Sequence, residues 1–312
     1  MSQKSPANPS SSTPADPSGP VSASKPALPG ALAPGLYLVA TPIGNLADIT
    51  LRALDILSKV DVIACEDTRV TRRLLSAHGL RTRLTTYHEH NAERARPRLI
   101  EQMKCGKAVA LVADAGTPLI SDPGYKLVQE AAAAGLAVTA VPGASAALAA
   151  LLVSGLPSDR FLFAGFLPAK AVARRKVLAE LAPVPATLVV FESPRRLAAA
   201  LADMAAAWGP RPAAVARELT KLYEEVRRDS LDALATHYAA AGPPRGEVVI
   251  VVGPPGPAAA ADADDLDARL RAALAVASLR DAVAAVAAAS GLPRQRVYAR
   301  ALALRKAQSD SD

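Results

Sequence analysis

A chain of 312 residues with 51 % hydrophobic side chains has apolar surface for two domains of ordinary size, which excludes a wholly disordered protein. Aromatic residues make up only 4 %, so platforms for stacking unpaired bases are scarce, and a net charge of +7 favours an anionic partner without specifying one. Cys65 and Cys105 sit in no CxxC or Cys/His spacing, no window of about 18 strongly apolar residues occurs, and the N-terminus lacks the basic-then-apolar order of a signal peptide. Disulfide frameworks, structural zinc and membrane spans therefore lose support, and a cytoplasmic location is expected.

Residues 1–34 are dominated by Ser, Pro and Ala, a composition that cannot bury enough apolar surface to offset its ordering entropy, and are read as a disordered tail. Folded structure is expected from a buried-type strand at 36–40, followed by Thr41-Pro42-Ile43-Gly44-Asn45 and a helix capped by Asp48. A strand at 60–64 ends in Cys65-Glu66-Asp67-Thr68-Arg69, with Asp67 preceding a helix that Gly79 stops. A short strand at 84–87 leads into His88-Glu89-His90-Asn91 and a helix near 92–105.

The run at 108–112, AVALV, has the pattern of a strand covered on both faces, and it breaks into Asp114-Ala115-Gly116-Thr117-Pro118. Taken alone, that break fits a tight turn as well as a ligand loop. Asp122 and Pro123 read as N-cap and first residue of the next helix. A strand at 137–141 then ends in Pro142-Gly143-Ala144-Ser145 before an Ala/Leu helix. Five alternations of strand and helix predict parallel strands, and 35–154 reads as one α/β domain.

A second α/β domain, 155–252, is expected from strands at 160–165, 187–191, 213–216, 223–228 and 247–252, mixed rather than purely parallel because the last two are separated by one short helix. Residues 253–263 read as a Pro/Gly/Ala linker. In 264–312, a helix with Ser278 and Asp281 spaced as a capping box, a turn at 290–293 and a second helix from Arg294 make a helix-turn-helix-like appendage. Its second helix carries Arg296 and Arg300 among its basic residues, with Val297, Ala301 and Leu304 able to face a partner. A solvated face accounts for the same charges.

Loops at 41–45, 66–69, 114–118 and 142–145 would all emerge at one edge of a parallel sheet, which is what a binding crevice requires. GxGxxG, GxxxxGK[ST] and GxSxG are absent, so nicotinamide, P-loop and elbow-hydrolase chemistries are not indicated. His88 and His90 have no third ligand at metal spacing, and no metal is expected. Glu66, Asp67, Asp114 and Glu192 end strands, where each can orient a hydroxyl or cation or simply cap a helix. Arginines 69, 72 and 73 head a series of basic clusters able to track phosphates.

Six stretches in order, LVATPIGNL (38–46), ACEDTR (64–69), YHEHN (87–91), ADAGTPLISDPG (113–124), FESPRR (191–196) and ARELTK (216–221), resemble the signatures of the ribosomal RNA small-subunit methyltransferase I family. The resemblance implies a tetrapyrrole-methylase fold, two α/β domains with S-adenosylmethionine in the cleft between them, and a homodimer. It implies methylation of a cytidine ribose 2′-hydroxyl in the decoding region of 16S RNA within the 30S subunit. By that resemblance Pro42, Asp114, Ala115, Gly116, Thr117, Leu119, Ile120 and Ser145 would hold the cofactor, residues 115–120 chiefly through backbone groups. Gly116-Thr117-Pro118 stands where the wider superfamily has Gly-Asp-Pro, so no Asp role passes to Thr117. Glu66, Asp67 and Glu192 are the candidate catalytic carboxylates. Arg69, Arg72, His88, Arg195, Arg217, Lys221, Arg296 and Arg300 are the candidate RNA contacts. Two rivals stay open: a small-molecule methylase of the same fold, and a non-catalytic RNA-binding assembly factor.

Overall fold

The computed structural model describes residues 32–121, 124–256, 263–290 and 294–309. Of the readings above, most of the tail, the helix start at Asp122-Pro123, much of the 253–263 linker and the turn residues 291–293 lie outside those residues.

The first sheet comprises β1 (Gly35–Val39), β2 (Val62–Cys65), β3 (Leu84–Thr86), β4 (Ala108–Val112) and β5 (Val138–Val141), all parallel in the order β3-β2-β4-β1-β5. β4 is buried at every position because helices cover both faces. Ala108, Ala110 and Val112 pack under α1 (Leu51–Lys59) and α2 (Thr68–Ala77); Val109 and Leu111 pack under α3 (Ala92–Lys104) and α4 (Tyr125–Ala133). The cap of α1 is Thr50, whose hydroxyl accepts from Ala53 N at 3.0 Å, and not Asp48, which closes a single 3-10 turn at Leu46–Asp48. The extra turn delays the helix by two residues, a detail that apolar spacing does not encode.

The second sheet is mixed, as expected. β6 (Phe161–Phe166) and β7 (Thr187–Glu192) are parallel, while β8 (Pro212–Arg217), β9 (Glu225–Ser230) and β10 (Val248–Val252) complete the order β6-β7-β10-β8-β9 through antiparallel pairings. α6 (Ala171–Leu181), α7 (Leu197–Trp208) and α8 (Leu231–Ala241) cover one face through Leu178, Leu201, Met204 and Leu234.

The opposite face receives α5 (Ala146–Ser154), whose Ala147, Ala150 and Leu151 pack on Val189, Ala216 and Val251. A boundary at 154 therefore falls one helix too late: α5 follows β5 in sequence but completes the second domain's core. Being apolar on all sides, α5 offers no polar stripe from which its partner could be read. Ile43 of the first domain joins the same cluster and ties the two sheets together.

The appendage has three helices rather than a hairpin. α9 (Ala263–Val276) contributes Leu266 and Leu270 to a core with Val283 and Val286 of α10 (Leu279–Ser290) and with Val297, Ala301 and Leu304 of α11 (Arg294–Ser309). Ser278 Oγ accepts from Asp281 N at 3.2 Å, as its spacing predicted. Among the described residues no helix is long and apolar enough to cross a membrane.

Candidate active site between the two domains

The loops at the carboxyl edge of the first sheet are stitched to one another. Thr41 and Gly116 exchange backbone hydrogen bonds of 2.9 and 3.0 Å, and Thr117 Oγ1 donates to Ala144 O at 3.1 Å. Asp67 N donates to Asp114 Oδ1 at 3.0 Å, which joins the loop after β2 to the loop after β4. Gly116 is left-handed (φ 81°), and a Cβ there would lie 3.3 Å from Ile43 Cγ2, so both conformation and space call for glycine. Beyond it Leu119 and Ser121 also hold positive φ, 74° and 67°, where non-glycine residues are strained.

From the second domain come the end of β7 and the segment joining β8 to β9. Phe191 meets Phe163 and Phe166 edge to face, with ring centroids 4.8 and 5.5 Å apart. The Glu192 side chain is fully buried; its Oε1 accepts from Ser193 N at 2.7 Å and from Arg196 Nη2 at 2.5 Å, while Oε2 has no partner among the described residues. The β8–β9 segment reaches over to the first domain, where Thr220 Oγ1 accepts from Asn45 N at 3.2 Å. Lys221 Nζ donates to Glu218 Oε1 (2.7 Å) and Glu247 Oε2 (3.0 Å). Lys221 holds the Glu218 carboxyl below the ordinary range; burial works against the Lys221 ammonium, but the two carboxylates outweigh it and raise its pKa.

Together these segments enclose a cleft with two lobes sharing the wall formed by Ile43, Asp114, Ala115 and Glu247. The larger, about 430 Å³, is lined by Gly116, Thr117, Ile120 and Ser145 on one side and by Phe166, Phe191 and Glu192 on the other. Three carboxylates, Asp114, Glu192 and Glu247, border it, with no Arg or Lys among its described lining residues. The smaller lobe, about 290 Å³, is bordered by Pro42, Val70, Arg73 and Lys221. The lobes differ in their cations: Arg73 and Lys221, the latter paired with Glu218 and Glu247, border only the smaller one, while Asp114 and Glu247 border both.

Six of the eight expected cofactor residues, Asp114, Ala115, Gly116, Thr117, Ile120 and Ser145, converge on the larger lobe. Pro42 lines the smaller one. Leu119 lines neither; its side chain packs in the first domain's core, where a Cβ on Gly124 would come within 2.5 Å of it. The catalytic candidates separate as well. Glu66 is exposed and lines neither lobe. Asp67 caps α2 and is clasped by Arg69, whose hydrogen bonds hold its carboxyl down at about 2, too weak a base to take a hydroxyl proton readily. Glu192 alone of the three reaches the cleft.

Among the expected RNA contacts, Arg72, Arg195 and Arg296 are exposed, and His88 is half-buried, edge-on to His90. Arg69, Arg217 and Lys221 each carry an acidic partner, Asp67, Glu225 and Glu218 respectively. Arg300 makes a two-pronged pair with Asp267, both bonds 2.7 Å, and so fastens α11 to α9. Sequence reasoning missed Ile43, Phe166, Phe191 and Glu247 as cleft residues. The signal available was that Phe191 immediately precedes the FESPRR carboxylate, at a strand end like the others.

This arrangement is that of a known class. Residues 35–235 match the family model described as tetrapyrrole (corrin/porphyrin) methylases, and residues 260–305 match the RsmI C-terminal HTH domain. The chain belongs to the ribosomal RNA small subunit methyltransferase I family within that class. It is 54 % identical to the protein of that name from Mesorhizobium japonicum over 90 % of this chain and 96 % of that one. It is 53 % identical to that from Erythrobacter litoralis over 88 % and 96 %. Among solved structures, the fold matches a uroporphyrin-III C-methyltransferase from Thermus thermophilus complexed with S-adenosylhomocysteine, with a TM-score of 0.50, 21 % identity, and coverage of 70 % of this chain and 97 % of that chain.

Proposed function

We propose that the protein methylates small-subunit ribosomal RNA with S-adenosylmethionine as donor, at the ribose 2′-hydroxyl of a cytidine in the decoding region of 16S RNA, acting on the 30S subunit in the cytoplasm as a homodimer. The observation that carries the cofactor assignment is the larger lobe: an aromatic wall for a purine face, a glycine loop permitting close backbone approach, and three bordering carboxylates, of which Asp114 has no ion pair among the described residues, for a sulfonium. The donor set fits that group without any metal ligand. When bound there, S-adenosylmethionine supplies a methyl group already activated for in-line displacement, its sulfur keeping the S–C electron pair and becoming a neutral thioether.

What remains for the chain is alignment and proton handling. Ile43 and the Phe166–Phe191 pair exclude water from the lobe, and backbone groups of residues 115–117 fix the donor's position. Glu192, with one oxygen tied down by Ser193 and Arg196, presents the other as an acceptor for an N–H of the donor, a binding role in place of the catalytic one expected from sequence. The exposed Leu148 and Leu152 of α5 supply apolar surface for the second subunit.

The deciding experiment incubates the protein with methyl-labelled cofactor and 30S subunits lacking the modification, then maps the label. Label on the 2′-oxygen of one decoding-region cytidine is expected; label on a base, or none in RNA, overturns the reading. Sedimentation equilibrium, with a Leu152→Glu variant expected to run as a monomer, tests the dimer.

A further inference from the structure

Resting on the methyl-transfer reading, we infer that the smaller lobe is the seat of the target nucleotide and that Asp114, on the wall the two lobes share, is the group that takes the hydroxyl proton. The smaller lobe carries the cations: Arg73, exposed on α2, and Lys221 border it, whereas the larger lobe has none among its described lining residues. A nucleotide brings a phosphate and a sulfonium the opposite charge; both lobes share Asp114 and Glu247, and Lys221 is paired with Glu218 and Glu247, so Arg73 is the cation that marks the smaller lobe for a phosphate. Size agrees, since about 290 Å³ suits one nucleotide drawn out of its strand rather than a stretch of RNA. Val70 and Leu46 give it apolar surface against which a base can lie.

The reacting atoms must then meet where the lobes adjoin. Among the described residues two carboxylates stand on that shared wall, Asp114 and Glu247. Glu247 is 77 % exposed at its side chain and committed to Lys221. Asp114 is half-buried, and the Asp67 N–H bond fixes one of its oxygens, which sets the direction of the other without consuming it. Asp67 thereby acquires a positioning role: its backbone, not its carboxylate, serves the site. In the transfer the ribose O2′ forms its new bond to the methyl carbon as the S–C bond breaks, and the hydroxyl proton passes to Asp114 and then to water. A positioned carboxylate in this role contributes about 10²- to 10⁴-fold to the rate.

The test uses the full chain and three substitutions. Asp114→Asn keeps an oxygen able to accept from Asp67 N, so the loop is preserved while the proton acceptor is lost. Val70→Trp fills the smaller lobe, and Arg73→Ala removes the bordering cation that has no ion pair among the described residues. We expect calorimetric affinity for S-adenosylmethionine to stay within about threefold of wild type in Val70→Trp and Arg73→Ala, whose side chains lie outside the larger lobe, and rates in Asp114→Asn are read at saturating cofactor. Single-turnover methylation of unmodified 30S subunits should fall by about 10²-fold or more in Asp114→Asn with RNA affinity kept. Filter binding of a decoding-region 16S oligonucleotide should weaken in Val70→Trp and Arg73→Ala. Loss of cofactor binding in Val70→Trp would place the cofactor in the smaller lobe and overturn the assignment, as would wild-type rates in Asp114→Asn. If the wild type labels no RNA, the methyl-transfer reading fails, and the two binding measurements, which need no turnover, still decide which lobe takes which ligand.

Discussion

Glu192 illustrates how a side chain legible in the sequence takes its chemistry from packing. Its place at the end of a strand marked it in the sequence, but only packing reveals that one oxygen is spoken for and the other buried without a partner. Glu192→Ala should weaken S-adenosylmethionine binding by about tenfold in calorimetry, the worth of one hydrogen bond to a charged group, while decoding-region RNA affinity stays level. Gly116→Trp, which fills the larger lobe from its floor, should abolish the cofactor heat altogether. Asp203 poses the converse case, invisible in sequence as a mere helical acid on α7. It is buried and clasped by Arg174 and Arg175, which outweigh desolvation and hold its carboxyl below the ordinary range. Asp203→Ala leaves the buried Arg174 uncompensated and should cost about 3–5 kcal/mol in denaturant unfolding. Because this carboxyl is depressed in the folded state, its contribution is full above the unfolded pKa of about 3.9 and is lost as pH falls through the folded value, so acid sensitivity should diminish in the variant.

At the scale of elements, apolar periodicity located nearly every strand and helix, and the crevice loops 41–45, 114–118 and 142–145 followed from parallel order, while 66–69 lines neither lobe. What periodicity could not provide was partnership. α5 is uniformly apolar and therefore silent about which sheet it covers; α9 was hidden because its acids and arginines look like linker polarity until Leu266 and Leu270 find α10 and α11. The β8–β9 segment is the least legible, since its course depends on Glu218 and Thr220 holding positive φ, which neither residue type advertises. Gly246 is the counterpart that permits it: φ is 95°, and a Cβ would lie 2.3 Å from the Glu218 side chain. Gly246→Ala should displace Glu218 and with it Lys221, raising the KM for 30S subunits several-fold with little change in cofactor affinity. Thr50→Ala removes the cap of α1 and should lower unfolding free energy by about 1 kcal/mol, a loss with no bearing on ligand binding.

Across the whole molecule, basic charge is not spread evenly. Arg73 borders the smaller lobe from α2, which also carries Arg69 and Arg72, and α11 adds Arg294, Arg296 and Arg305 at the exposed face of the appendage. Deletion of residues 264–312 should leave calorimetric cofactor binding intact, weaken RNA affinity, and flatten its dependence on salt in proportion to the phosphate contacts removed. An unchanged salt slope would assign the appendage some task other than gripping RNA. The net charge of +7 hinted at an anionic partner, but the sequence could not say that Arg73 would border one compartment of the cleft while three carboxylates, Asp114 and Glu247 of them shared between the two, line the other.

That compartment has a bearing on turnover. Methyl transfer erases the positive charge of the donor, so with the donor in the larger lobe, as proposed, a wall bordered by Asp114, Glu192 and Glu247 attracts the reactant more than what is left. Exchange of spent for fresh donor is then driven by the reaction itself. Raising ionic strength should narrow the gap between the two dissociation constants, because screening weakens the only interaction that tells sulfonium from thioether across the same apolar surface.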